Sequence, residues 1–420
     1  AWKVEDIRKR VLFTFLMVLV IRFGAQIPVP GTNASVVASI FSALNTDSFN
    51  IFNSFTGSSM ENFSILALSI TPYITSSIIV ELLTIAIPIL EEWQRDGADG
   101  RKKLTKVTRY LTVGLSVIEG TAMAIGFGRQ GLFDHFNAFY VIICVIALTA
   151  GSAFLMWIGE QITERGVGNG ISIVLIINIL SGIPEELGVI WTTFTSGKSV
   201  ASTVVVCVLI AAFILAIIMF VVWLNGALRK IPVQYSGRIR GRNSLGGQSS
   251  HIPLKVMTAS VIPVIFASSL LSIPSMIGQF IGTVDYSKFG GKIIMFLSSG
   301  YWFNSSVPWY YSLGVILYIL LIFVFAYFYT SITFNPIEVA DNMKKQAGFI
   351  PGIRPGKPTS DYLNSVLNNV VFIGACGLTI VALVPIIIGG LFSVGRISFL
   401  GTSMIIIVGV ILDTLQNVEG

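Results

Sequence analysis

Long apolar runs, separated by short stretches rich in Gly, Pro and charge, dominate the chain. A hydrocarbon core about 30 Å thick takes roughly 20 residues of helix. Runs of that order fall at about 11–28, 66–90, 107–127, 138–158, 170–188, 201–225, 256–280, 309–331, 366–389 and 399–416. The pattern predicts ten membrane-spanning helices. The second run contains Pro72 and Glu81, the fifth is barely long enough, and the last is short. Pro and Gly inside such a helix are tolerated where a neighbour or an aqueous cavity covers the freed backbone. A membrane barrel would instead need alternating segments of about ten residues.

Composition narrows the class further. Apolar residues make up 54% of the 420 and charged ones 11%, against about 25% charged in a typical soluble domain. Mean hydropathy is +0.81. A soluble fold with so few charges would lack the polar surface to cover its core, and disorder needs low hydrophobicity. Cys144, Cys207 and Cys376 sit far apart in separate apolar runs, so neither a disulfide framework nor a thiolate metal cluster is suggested. The first run follows Arg8, Lys9 and Arg10 but leads into Ile27-Pro28-Val29-Pro30, not a small-residue cleavage site, so it is not a cleavable signal. Neither end carries an obvious tail, as expected of a chain trimmed at both ends.

The placement of charge sets the orientation. With ten spans and a cytoplasmic N-terminus, 21 of the 27 Lys and Arg fall on the cytoplasmic side, and both termini lie there. Two cytoplasmic loops, about 226–255 and 332–365, are long for helix connections. Their Pro and Gly turns are interleaved with Tyr, Phe and Ile, which points to ordered, protruding loops. Such loops suit an anionic protein or RNA surface. Contact with anionic lipid is the alternative, and simple positive-inside charge is the bland one.

Little in the spans suggests chemistry. Coupled transporters keep carboxylates or paired charges in the membrane, whereas the candidates here are Arg22, Glu81 and Glu119. For Arg22 and Glu119, snorkelling or a single interhelical bond is the simpler reading. The two histidines, His135 and His251, lie outside the spans, so zinc or imidazole chemistry has no support, and no metal or cofactor is implied. Gly166-Val167-Gly168-Asn169-Gly170 lacks the Lys-Ser/Thr of a phosphate loop and reads as a tight turn with close backbone packing. The chain should not hydrolyse nucleotide and is not expected to be an enzyme. Two spans place a Pro among hydroxyls and Ile, at 70–79 and 261–269. Each is either a kinked packing helix or the wall of an apolar constriction that dewets. The small, polar stretch Asn53–Ser64 is either an ordinary outer loop or a short re-entrant helix, allowed where protein surrounds it.

Motifs in register along the chain then identify a resemblance. They begin with Ile27-Pro28-Val29-Pro30, Ile70-Thr71-Pro72-Tyr73-Ile74, Gly100-Arg101-Lys102-Lys103-Leu104 and Thr108-Arg109-Tyr110. They continue with Trp157-Ile158-Gly159-Glu160-Gln161-Ile162-Thr163, Gly168-Asn169-Gly170-Ile171-Ser172-Ile173, Gly247-Gln248-Ser249 and Pro253-Leu254-Lys255-Val256. Val261-Ile262-Pro263-Val264-Ile265-Phe266-Ala267, Asn335-Pro336, Ala340-Asp341-Asn342-Met343-Lys344-Lys345, Pro351-Gly352-Ile353-Arg354-Pro355-Gly356 and Gly401-Thr402-Ser403 complete them. Together they resemble the bacterial SecY family, the central subunit of the protein-conducting translocon.

The resemblance implies an all-α polytopic fold of ten transmembrane helices. They form two pseudo-symmetric, inverted five-helix halves, 1–188 and 189–420, around an hourglass channel. It implies a plug helix at about 55–65 and a pore ring of Ile70, Ile74, Leu175, Ile265 and Ile406, with Leu175 in place of the commoner Ile. It puts a lateral gate between the second and third spans and the seventh and eighth, with Thr75, Glu81 and Ile273 at the seam. Glu81 stands where relatives usually carry Gln; if charged it needs water or a donor. Arg354, with Lys344, Lys345 and Lys357 around it, matches the docking residue of the last long loop; Arg238, Arg240 and Arg242 belong to the same surface. Implied partners are the SecE and SecG subunits, the SecA motor ATPase, the ribosome, secretory precursor polypeptides and anionic lipid. The implied location is the bacterial cytoplasmic membrane.

The expected function is passage of unfolded secretory chains and sideways release of transmembrane segments. A secondary transporter of small solutes would need a midplane polar site and coupling ions. An intramembrane protease would need paired Asp, zinc ligands or a Ser–His pair. The spans supply neither set.

Overall fold

The computed structural model of the chain describes residues 5–33, 36–37, 56–57, 59–60, 62–129, 131–133, 136–195, 200–235, 239–240, 243–244, 249–257, 262–281, 289–303, 308–392 and 403–419. The N-terminal part holds α1 (Glu5–Gly24), α2 (Thr71–Ala86), α3 (Pro88–Arg95), α4 (Ala98–Gly128), α5 (Ala138–Arg165), α6 (Gly170–Thr195) and α7 (Val200–Gly226). A strand region follows, with β1 (Leu228–Tyr235), β2 (Ile239–Arg240), β3 (Asn243–Ser244) and β4 (Ser249–Lys255). The remainder comprises α8 (Ile262–Ile281), α9 (Phe289–Leu297), α10 (Gly314–Thr333), α11 (Pro336–Lys345), β5 (Gly348–Phe349), α12 (Lys357–Phe392) and α13 (Met404–Glu419). Among the described residues six helical stretches are long and apolar enough to cross a membrane, or seven if the bent pair α2–α3 forms one span. The chain is an all-α, multi-pass membrane protein whose strands are confined to its polar loops.

The second run is shorter than the pattern predicts. Pro72 stands in the first turn of α2, where its missing N–H is an orphan donor in any case. At the other end Pro88 forces Ile87 into an extended conformation (φ −115°, ψ 111°), because a residue before Pro avoids the helical region. Helices α2 and α3 consequently diverge by 108°. At 16 residues, α2 is about 24 Å long. Helix α4 departs the other way. It begins at Ala98, so the bases between Arg101 and Arg109 ride on an extension of the helix instead of a loop.

Small residues bring the N-terminal helices close, as membrane helices require. On α4 and α5, Ser116 and Ser152 share a hydrogen bond of 3.2 Å, and a methyl at Gly120 would stand 3.6 Å from Leu148. Gly151 admits the backbone ahead of α2 so closely that a methyl there would meet the Ile65 carbonyl oxygen. Two apolar clusters fill this half, one around Phe63, Phe127 and Leu148, the other around Ile70, Ile158 and Leu175. A third, around Val264, Ile322, Leu378 and Ile406, fills the C-terminal half and takes in Ile176 and Ile179 of α6.

The sheet is a feature that the apolar pattern does not announce. β1 pairs antiparallel with β4 from Leu228↔Lys255 to Gln234↔Ser249, and with β5 at Gln234↔Phe349 and Tyr235↔Gly348. Pro232 is tolerated because β5 reaches only the last two residues of β1, leaving the strand an edge on that side. Ile231 and Val233 alternate inward onto a small core with Leu254, Ala340, Met343, Ile350 and Leu363. The two long basic loops are therefore one folded unit.

Candidate functional site

The five expected ring residues fall into two groups. Ile70, wholly buried at the N-cap of α2, shares a cluster with Leu175 (8% exposed), and the partly buried Ile74 packs on it. Ile406 (3% exposed) belongs to the C-terminal cluster, and partly buried Ile265 packs there. The groups meet along α6, where Leu175 serves one and Ile176 the other. Helix α6 in turn packs on α13. No single cluster gathers all five.

Next to the first group runs the segment expected as a plug. Phe55, Ser58 and Glu61 lie outside the described residues; Thr56, Gly57, Ser59, Met60, Phe63 and Ser64 are all buried. The described part is a chain of turns, with Phe63 (φ 42°) and Ser69 (φ 53°) in the left-handed region. It hydrogen-bonds to the chain after α1, from Val29 N to Phe63 O at 3.0 Å and from Ile65 N to Ile27 O at 3.0 Å. Phe63 meets Phe127 edge-on at 5.9 Å. Arg22 Nη1 donates to the Gly57 carbonyl at 3.3 Å. Asn178 Nδ2 donates to Ser69 Oγ at 2.9 Å, both residues being buried.

Two charged residues of the spans behave otherwise than the sequence suggests. Arg22 neither snorkels nor bonds to another helix, but reaches this segment. Glu119 Oε2 is buried without a hydrogen-bond partner, as is Thr149 Oγ1. A lone carboxylate in an apolar pattern does not reveal which neighbour, if any, it will meet.

The Gly166–Gly170 stretch is the tight turn its composition predicts. Gly168 has φ +71°, and a methyl at Gly170 would overlap the Gly159 carbonyl. Asn169 Oδ1 caps α6 by accepting from Ile171 N at 3.1 Å.

At the expected lateral seam, Thr75 and Glu81 are half-buried on α2, while Ile273 on α8 is 47% exposed. Helix α2 packs on α4, α10 packs on α8, and α8 also packs on α4, so contact across the seam runs through α4. The Glu81 carboxylate acts electrostatically on Tyr73 of its own helix and on Tyr329 of α10, so its neighbourhood spans the seam.

Arg354, Lys344, Lys345 and Lys357 are all exposed. Arg354 stands in a turn between Gly352 (φ 85°) and Gly356 (φ 104°), conformations that favour glycine. Its carbonyl accepts from Thr359 Oγ1 at 2.9 Å, and Ile350 and Leu363 are buried in the same module. Arg240 lies in β2, paired through its backbone with Asn243; Arg238 and Arg242 lie outside the described residues. Sequence reasoning missed Arg229, Lys230 and Lys255, exposed on the paired strands β1 and β4. The alternation at Ile231 and Val233 was the signal available for them.

Comparison with known proteins agrees along the whole chain. The SecY family profile matches residues 64–415. The chain is 42% identical over 424 residues to the protein translocase subunit SecY of Halalkalibacterium halodurans, covering 100% of this chain and 95% of that protein. It is 40% identical over 426 residues to SecY of Bacillus subtilis, covering 99% and 95%. Among solved structures it superposes on a protein-conducting channel with TM-score 0.66 at 16% identity, over 99% of this chain and 92% of the other. It superposes on Sec61 of a canine ribosome-channel complex with TM-score 0.61 at 16% identity, again over 99% and 92%.

Proposed function

The chain belongs to the SecY family, and from that membership we infer that it is the channel subunit that passes unfolded secretory polypeptides across a membrane and releases transmembrane segments sideways into lipid. The observation that carries this reading is full-length identity of 42% to a protein translocase subunit. The helices form ten spans in two inverted five-helix halves, 1–188 and 189–420, around an hourglass channel. The bent α2 counts as one span, and the membrane is the bacterial cytoplasmic one with both termini inside. The 21-to-6 division of Lys and Arg supports that orientation.

Ile70, Ile74, Leu175, Ile265 and Ile406 form the constriction. A passage for arbitrary sequences cannot rely on specific hydrogen bonds or fixed charge. Branched apolar side chains offer water no partner, so a narrow gap between them dewets. They also part around a moving chain and reclose without stranding a buried polar group. The segment at about 55–65 rests on the outer side of this ring. The lateral gate runs between α2 with α4 and α8 with α10, near Thr75, Glu81 and Ile273. The basic module, with Arg354, Lys344, Lys345, Lys357 and Arg238, Arg240 and Arg242, docks the SecA motor and the ribosome. Energy comes from such a partner. SecE and SecG complete the complex, and anionic lipid meets its basic side.

The test is reconstitution of the chain with its small partner subunit, the motor ATPase, ATP and a labelled precursor in sealed vesicles. Protease-protected precursor is the expected result. Small-solute uptake without precursor transfer would replace the channel with a secondary transporter.

A further inference from the structure

We propose that Arg22 and Asn178 form a two-point latch that holds the segment Thr56–Ile70, and through it the ring residue Ile70, in the closed position. The inference rests on the channel reading above and adds the residues that position the seal.

The first point is Arg22 Nη1 on the carbonyl oxygen of Gly57, at 3.3 Å. Arg22 lies in the last turn of α1, where a cation ordinarily serves the carbonyls of its own helix end. Here it reaches 35 residues along the chain instead. Gly57 is pressed against α6 at the same place. A methyl on it would meet Ser181 Oγ at 2.7 Å and Asn178 Cα at 2.8 Å, and its φ of +64° favours glycine as well. The second point is the same Asn178, whose Nδ2 donates to Ser69 Oγ at 2.9 Å. Asn178 and Ser69 are 2% and 1% exposed.

Both points bear directly on the constriction. Ser69 precedes Ile70 in the chain, and Asn178 lies one helical turn beyond Leu175 on the same face of α6. Ser69 is also held at φ 53°, a conformation costly for a residue with a Cβ and maintained only where the surroundings impose it. Loss of the Asn178 bond lets that backbone relax, and Ile70 moves with it. An entering polypeptide can release the first point without stranding a charge. Its extended backbone presents carbonyl oxygens, any of which can accept from Arg22 in place of Gly57. A folded solute or an ion offers no such run of acceptors, so the latch yields to the cargo and holds against leakage.

The variants Arg22→Gln, Asn178→Val and Ser69→Ala test this in the full chain within its complex. Two readouts are taken: resting ion conductance in planar bilayers, and the maleimide labelling rate of a Met60→Cys reporter, which sits in the segment at a buried position (4% exposed). Each variant should raise both readouts roughly tenfold, the factor that about 1.4 kcal/mol of lost interaction gives. Arg22→Lys, which keeps the charge but not the fork, should fall between. Ser69→Ala removes one hydroxyl and leaves the packing volume nearly unchanged, so it reports on the latch even if Asn178→Val folds poorly. Unchanged labelling and conductance in Arg22→Gln and Ser69→Ala would overturn the latch. Precursor transfer by the unsubstituted complex is scored alongside. Its failure would count against the channel reading, while the labelling rates would still decide whether Arg22 and Asn178 hold the segment.

Discussion

Two irregular regions of the molecule are held in opposite ways. The basic module that joins β1, β4 and β5 is closed by an antiparallel ladder and by a core containing Ile231, Leu254, Ile350 and Leu363. The segment Thr56–Ile70 has no comparable ladder. Its ties are isolated bonds to Val29, Ile27, Arg22 and Asn178, and two of its non-glycine residues carry positive φ. A region that must present charge to a partner gains from rigidity, because a preordered surface loses less entropy on binding. A region that must open gains from having few, separable bonds, since each is worth only about 1 kcal/mol net. The contrast is therefore between a fixed dock and a releasable seal.

The largest expected effect comes from stopping the movable region outright. A disulfide between Thr75→Cys and Ile273→Cys should form in the resting channel and abolish both export and membrane integration, with recovery on reduction. Full integration of a transmembrane substrate through the crosslinked channel would eliminate sideways exit between these helices. Next in size is charge reversal on the dock. Arg354 is exposed and carries little packing, so Arg354→Glu should leave folding near normal. Motor-driven translocation should fall about 100-fold, which corresponds to about 2.7 kcal/mol of lost coupling. Equal losses of folded protein and of transport would remove the docking role.

A smaller and more local effect separates the regions directly. Leu254, 3% exposed in the module core, becomes a cavity in Leu254→Ala, which costs about 2–5 kcal/mol where the site cannot collapse. Amides of Ile231 and Val233 should exchange faster and transport should fall about tenfold, while resting ion conductance stays at the unsubstituted level. A rise in conductance would mean that dock and seal are not independent.

The same contrast explains what the sequence could and could not reveal. Apolar runs and charge placement exposed the helical membrane class because both depend on composition over some 20 residues. Boundaries set by single residues were harder. Pro88 ends α2 early, whereas nothing apolar marks the start of α4 at Ala98. The Gly166–Gly170 turn was legible because glycine spacing is itself the signal. The sheet was not, since its two parts lie more than a hundred residues apart, at Gln234 and Phe349. Arg22 shows the same limit: its partner, Gly57, depends on how a loop folds back. The family motifs named the ring residues, but the division of those residues between two apolar clusters is a property of packing alone.

The smallest expected change in stability, and the sharpest test of the seal, lies at Ile406. The residue is 3% exposed and packed in the C-terminal cluster, so two outcomes compete. In a permanently packed core, Ile406→Asn buries an amide without partners and destabilises the fold by a few kcal/mol. In a constriction that parts for cargo, water reaches the amide from the channel and much of that cost disappears. The unfolding midpoint then shifts little. Hydration of the narrow gap removes the dewetting barrier, so resting conductance rises several-fold and precursors with defective signals pass more readily. Single-channel conductance measured beside thermal unfolding decides between them. A folded but silent variant takes Ile406 out of the ring, a misfolded one returns it to ordinary core, and a folded, leaking one places it at the seal. If Ile406→Asn and Arg22→Gln are then combined, the leak should exceed that of either alone, because one hydrates the ring and the other frees the segment that covers it.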